Sequence, residues 1–226
     1  ATTALAKIHR LLENFDTTAK PHKSLLAKLR HYQLDGFQFL LHLHRSEVGG
    51  ILADDMGLGK TVQAIAVMNT ISFGRKLVET QHAASLPTSR LKFLVVCPLA
   101  ALGVWENEIQ KFSPNLSVYR WHGSERSLKE AEECDILITT FATFTLDAEK
   151  FSGETWQMAF IDEAQFVKNF RSKAAHALRK INARSIVCLT GTPLENYLED
   201  LWALFDLIFP GYLGTAQSFK DAYGGH

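Results

Sequence analysis

The chain has 226 residues, with 24 Lys plus Arg against 24 Asp plus Glu and a formal net charge of zero. That length suits one large domain able to bury roughly 70% of its unfolded surface, and 46% hydrophobic with 21% charged residues excludes a disordered chain. Charge balance excludes attraction of a polyanion by the chain as a whole, leaving local basic stripes as the source of any phosphate contact.

No run approaches the ~18 apolar residues of a membrane span, and none has the order of a signal peptide. A soluble, intracellular protein without a membrane partner is therefore expected. The opening part, "ALAKIHRLLENF" to "FQFLLHLHRSEVGG", reads as helices broken near Pro21. Residues 1–23 are taken as a helical lead-in or linker.

Next, β-rich runs alternate with helical patterns. The strand candidates are "GGILADD", "LKFLVVCP", "LSVYRWHG", "DILITTF", "QMAFIDEA" and "RSIVCLTGT". Helical periods lie between them in "TVQAIAVMNTI", "ALGVWENEIQKF", "SERSLKEAEE" and "SKAAHALRKI". Strands this apolar are buried on both faces, as in a parallel sheet covered by helices, so the spacing predicts a doubly wound α/β fold. Residues 74–90 have the composition of an inserted loop. A last amphipathic helix, "NYLEDLWALFDLIF", is capped by Asn196 with Glu199 three residues on, and "FPGYLG" stops it. Trp202 and Phe205 on this helix stand at core spacing. Cys97, Cys134 and Cys188 each border an apolar run and read as small core residues. The nine histidines, His42 and His44 among them, lack metal-ligand spacing.

Three turns carry chemistry. "ILADDMGLGKTVQAIAVM" follows a strand and opens a helix, the context of a phosphate loop, although Asp54 stands where the strict pattern has glycine. Gly57 and Gly59 would turn backbone N–H groups toward phosphate oxygens, and the helix N-terminus adds positive potential. Lys60 would reach the β- and γ-phosphates, and the Thr61 hydroxyl would bind Mg²⁺. "MAFIDEAQ" ends a strand in two carboxylates: Asp162 to hold the Mg²⁺ water shell, Glu163 to polarise an attacking water. "LTGTPLEN" places Thr190, Gly191 and Thr192 at a third strand-to-helix turn, suited to sensing a γ-phosphate. Together the three turns specify a nucleoside triphosphatase of the RecA-like kind.

In this order and spacing, "DDMGLGKT", "DEAQ" and "LTGTPLEN" resemble the Swi/Snf-type ATPases of helicase superfamily 2. "LRHYQLDG", "VCPLAALGVWENE", "DILITTF" and "LWALFDLIFPGYLG" extend the resemblance over about Ser24 to Gly214. It implies a first RecA-like lobe over 24–214, with 215–226 starting the connection to a second lobe of the same polypeptide that brings arginine fingers. It implies ATP and Mg²⁺ as cofactors, double-stranded DNA as the track, and a DNA-bound protein as a further substrate. Gln33 would read adenine, and Asp54, Asp55, Met56, Gly57, Leu58, Gly59, Lys60 and Thr61 would hold the nucleotide. Gln165, Thr190, Gly191 and Thr192 would couple the acidic box to the second lobe. Contacts to DNA would come from Pro98, from Thr139 and Thr140, and from the basic cluster Lys168, Arg171 and Lys173. The site of action would be the cytoplasm or nucleoid of a bacterium, or the nucleus of a eukaryote.

Departures from the family pattern are Asp55 for glutamate, Gln165 for the more frequent histidine, Ala100 and Ala101 near a DNA-contacting serine, and Phe166 where a basic residue is frequent. Two other readings compete with a DNA motor, a nucleotide-dependent binding module and an RNA helicase lobe. Glu163 argues against the first, and "DEAQ" in place of a "DEAD"-like box against the second. A small-molecule kinase would have no use for the glutamine motif or "LTGTP". Alone, the lobe is expected to bind ATP poorly and to turn it over slowly, for want of the arginines.

Overall fold

The computed structural model describes residues 11, 15–81, 93–167, 169, 172–192 and 198–223. Strands β1 (Gly50–Leu52), β2 (Phe93–Cys97), β3 (Val118–Trp121), β4 (Ile136–Thr140), β5 (Met158–Asp162) and β6 (Ile186–Leu189) form one sheet of order β1-β6-β5-β2-β4-β3. Every pairing is parallel. All six expected strands are present.

Alternation along the strands divides the interior in two. Phe93, Val95 and Cys97 of β2 face the core shared by α1 (His31–Ser46), α2 (Lys60–Gln81) and α3 (Leu102–Phe112). Leu94 and Val96 face the opposite core, with residues of α5 (Phe141–Asp147), α6 (Lys173–Leu178) and α7 (Leu198–Ile208). Short α4 (Leu128–Glu132) contributes Ala131 to that second core, and α8 (Ala216–Tyr223) packs Phe219 against Trp202 and Ala203 of α7. The fold is thus RecA-like and doubly wound. The three cysteines are buried thiols, and burial pushes both Cys97 and Cys188 up to about 12. Among the described residues no helix is long and apolar enough to cross a membrane.

Three sequence expectations change. Residues 15–30 contain no helix; they form a strap bonded across the lobe. The Gln38 Nε2 amide donates to Thr17 O and Ala19 O at 2.7 and 3.1 Å, His22 N to Thr70 Oγ1 at 3.0 Å, and Leu26 N to Phe112 O at 2.8 Å. These bonds satisfy backbone groups that a helix broken at Pro21 would leave open. The expected loop from Gly74 is helical through Gln81, the helix formers after Gly74 outweighing the ~1 kcal/mol cost of one exposed glycine; residues 82–90 lie outside the described set. Helix α5, within the β-branched, Thr-rich stretch "FATFTLD", was not expected at all. Thr140 starts it by accepting from Thr143 N at 3.2 Å. Asn196, the expected cap of α7, lies outside the described residues.

Gly36 fixes where α1 crosses α2. A Cβ at Gly36 would sit 1.7 Å from Gln63 Oε1, and Gln63 is wholly buried. Behind the far edge of the sheet, Asp147 accepts from Trp121 Nε1 at 2.9 Å and has Arg126 Nε and Lys150 Nζ each at 2.8 Å. Burial pushes the Asp147 carboxyl up, but the Lys150 and Trp121 bonds and the Arg126 charge outweigh it and hold it below its ordinary value.

Gly36→Ala is expected to lower unfolding free energy by about 1–3 kcal/mol, and Gln63→Ala in the same chain to recover part of the loss; urea titration of the double-mutant cycle checks this. Asp147→Asn is expected to cost about 2 kcal/mol at pH 7, less than a fully buried pair because both cations are partly exposed. Because the folded carboxyl is depressed, its contribution is present above the ordinary carboxylate range and lost as pH falls through the folded value. The difference between wild type and Asp147→Asn should therefore shrink below about pH 4 in a pH series of melts.

Candidate functional site

Register brings the three motif turns to one place. Leu52 of β1 pairs with Leu189 of β6, which pairs with Asp162 of β5 on its other side. Residues after Leu52, after Asp162 and after Leu189 therefore leave the sheet side by side at its carboxyl edge. Thr190 N donates to Leu52 O at 3.2 Å, carrying the β1–β6 pairing one residue beyond β6. Gly191 lies under the first loop; a Cβ there would be 3.1 Å from Met56 Cγ and 3.4 Å from Met56 N.

In the loop from Asp54 to Thr61, Gly57 and Gly59 both have φ of 83°, the left-handed region where only glycine is unstrained. Lys60, 9% exposed, donates from Nζ to Asp54 O at 2.8 Å and Asp55 O at 3.1 Å. An ammonium has three donors, so one N–H remains for a ligand in the adjacent cleft. Gln63 Nε2 donates to Asp54 Oδ2 at 2.8 Å, pinning the residue at which the strict glycine is missing. Gln33, on the first turn of α1, donates from Nε2 to Leu58 O at 3.0 Å and accepts from Arg30 N at 3.0 Å. Loop and glutamine motif are thus joined directly.

The cleft beside the loop has a volume of about 380 Å³. Gly57, Lys60 and Thr61 line one side, and Trp105, Asp162 and Glu163 the other. Asp162 Oδ1 accepts from Glu163 N at 3.0 Å and Oδ2 from Trp105 Nε1 at 2.8 Å. Burial chiefly, with Glu163 adding, raises the Asp162 carboxyl above its ordinary value, against the Trp105 bond and the Lys60 charge. Glu163 has φ of 49°, a conformation costing a non-glycine residue about 1 kcal/mol or more. Its carboxylate Oε2 accepts from Gln165 Nε2, and Gln165 Oε1 accepts from Thr190 Oγ1 at 2.8 Å. Thr192 N donates back to Thr190 Oγ1 at 3.1 Å. A continuous chain of hydrogen bonds therefore runs from the third turn to Glu163.

Three polar atoms near these turns, Gln63 Oε1, Glu108 Oε2 and Thr192 Oγ1, are buried without a hydrogen-bond partner. Burial, with Asp162 adding, raises the Glu108 carboxyl against the pull of Lys111. Uncompensated polar atoms are rare inside proteins and suit a cleft built for a polar ligand.

The residues expected to meet DNA divide. Thr139 is fully buried with Oγ1 donating to Trp121 O at 2.9 Å, and Thr140 is spent capping α5, so both hydroxyls serve the fold. Pro98 begins the turn Leu99–Ala101, where Leu99 is exposed, and Lys173 is exposed at the start of α6. Lys168 and Arg171 lie outside the described residues. Phe166, 66% exposed, stands 6.2 Å from the Phe141 ring. Two anchors escaped sequence reasoning, Gln63 on Asp54 and Trp105 on Asp162. Only the placing of Trp105 inside a family motif signalled either.

The family model for the SNF2-related domain matches residues 32–225. The chain is 35% identical over 212 residues to the Saccharomyces cerevisiae TATA-binding protein-associated factor MOT1, covering 91% of this chain and 11% of that protein. It is 37% identical over 210 residues to the putative ATP-dependent helicase/translocase YwqA of Bacillus subtilis, covering 90% of this chain and 21% of that protein. A solved Sulfolobus solfataricus SWI2/SNF2 ATPase core in complex with dsDNA superposes with a TM-score of 0.77 at 36% identity, over 90% of this chain and 40% of that one. The chain thus spans a tenth to a fifth of these curated relatives and two fifths of the solved core. Extended matching, common fold and the three turns at one sheet edge make the chain a member of the SNF2-related family, homologous to the N-terminal lobe region of Swi2/Snf2 ATPases.

Proposed function

We propose that this chain is the ATP-binding and hydrolysing lobe of a motor that moves along double-stranded DNA. The observation that carries the reading is the convergence of Lys60, Asp162 and Glu163 on one cleft beneath a glycine loop. The kinship to a putative translocase and to a core solved with dsDNA supports ATP as fuel and duplex DNA as track.

The positions of the residues support a role for each. Backbone N–H groups around Gly57 and Gly59 cradle phosphate oxygens, with the α2 N-terminus behind them. The remaining N–H of Lys60 meets the β- and γ-phosphates. Gln33, already on Leu58 O, orders the loop and presents its amide edge to adenine. Glu163 orients the attacking water and receives its proton. The relay Thr190–Gln165–Glu163 ties that base to a turn that a following lobe would touch, which gives Gln165, Thr190, Gly191 and Thr192 their coupling role.

Mg²⁺ fits this donor set. Among the described residues no three His, Cys, Asp or Glu side chains converge into a cation cage. Thr61 and Asp162 line the same cleft, and a divalent ion would rest on these two and on phosphate oxygens, the sparse protein coordination typical of Mg²⁺ with nucleotides. When bound, it would supply positive charge against the developing phosphate charge. Pro98 and Lys173, with Lys168 and Arg171, provide sequence-independent contacts to the DNA backbone.

In the full-length polypeptide, ATP hydrolysis is expected to rise strongly with duplex DNA, and Lys60→Ala or Glu163→Gln to lower the stimulated rate about 100-fold or more. Steady-state phosphate release with and without DNA measures this. Rates indifferent to duplex DNA, or raised by RNA duplex only, would overturn the reading.

A further inference from the structure

We propose that Trp105 is a positioning residue for the metal-facing carboxylate, its indole N–H fixing Asp162 in the rotamer that presents a free lone pair to the cleft. The inference rests on the ATPase reading above and deepens it. The two Asp162 oxygens are held in different ways. Oδ1 takes the N–H of Glu163, the next residue along the chain, whereas Oδ2 takes Nε1 of a side chain 57 positions away at 2.8 Å.

Three features make Trp105 suited to this. It is 1% exposed and packed in the core between the sheet and α1–α3, so its ring direction is fixed by packing. Its N–H can donate and never accept, which keeps Oδ2 an acceptor with lone-pair capacity left for a cation or its water shell. It also carries no charge. A lysine or arginine in its place would hold the carboxylate equally well but would repel a divalent ion a few ångströms away. Outer partners that orient a metal-binding group typically change metal affinity by 10–100-fold when removed.

The bond also joins two parts of the lobe that the sheet alone does not connect. Trp105 sits in the first turn of α3, directly after the exposed turn Leu99–Ala101.

The test uses the full-length polypeptide with a fluorescent ATP analogue, titrated in EDTA and across a Mg²⁺ series. Variants are Trp105→Phe and a benzothienylalanine at position 105, an isostere that keeps the fused ring and lacks the N–H. Both are expected to need about tenfold more Mg²⁺ than wild type for half-maximal enhancement of nucleotide binding, each measured relative to its own binding in EDTA. Asp162→Asn marks the full loss. If Trp105→Phe also weakens binding in EDTA, the isostere decides, since it preserves the packing. A wild-type Mg²⁺ midpoint in the isostere overturns the proposal while leaving the ATPase reading intact. Absence of Mg²⁺-dependent nucleotide binding in the wild type overturns both.

Discussion

The site depends on the parallel register of β1, β6 and β5. Because Leu52, Leu189 and Asp162 are paired across three adjacent strands, the residues that follow them emerge within reach of one another. A slip of one residue would turn every side chain of a strand to the opposite face and carry Asp162 away from the cleft. Two separate cores, one on each side of the sheet, resist that slip. The buried mass of the lobe is thus what gives the polar edge its precision.

At that edge the chain accepts local cost for fixed geometry. Two glycines with φ of 83° bend the first loop so that amides face inward, and Glu163 holds a left-handed conformation that a side chain resists. Half-buried polar groups are then tied off one by one: Asp54 by Gln63, Asp162 by Trp105, Glu163 by Gln165, Gln165 by Thr190. In a low-dielectric site such preorganised bonds keep acceptors and donors aimed before a ligand arrives. Among the described residues, Gln63 Oε1, Glu108 Oε2 and Thr192 Oγ1 are polar atoms of this neighbourhood left untied.

The strands and the three turns were legible in the sequence because their signals are local. Apolar runs of four or five residues mark buried parallel strands, and glycine, lysine and acid spacings mark the turns between them. What escaped was non-local or overridden. Trp105 and Asp162 are 57 residues apart, and no periodicity pairs an indole with a carboxylate. Gln63 lies in the helical run "TVQAIAVMNTI" with no local signal that it is wholly buried and anchors Asp54. Helix α5 hid in a β-branched stretch because a single cap, Thr140, begins it. Thr139 and Thr140 looked free to meet DNA at a strand end, but a hydroxyl at such an end also serves a neighbouring carbonyl or a helix cap. The strap over residues 15–30 reads as helix from its apolar spacing, and only the tertiary bonds to α1, α2 and α3 show otherwise.

The central claim is that hydrolysis in this cleft drives movement along duplex DNA, and displacement of a triplex-forming strand tests it most directly. The full-length polypeptide would be given duplex DNA carrying a third strand some distance from the loading site, with ATP and Mg²⁺. The account predicts ATP-dependent release of the third strand with the duplex left paired, and no release when Glu163 is replaced by Gln. Retention of the third strand under active hydrolysis, or release that survives Glu163→Gln, would contradict it.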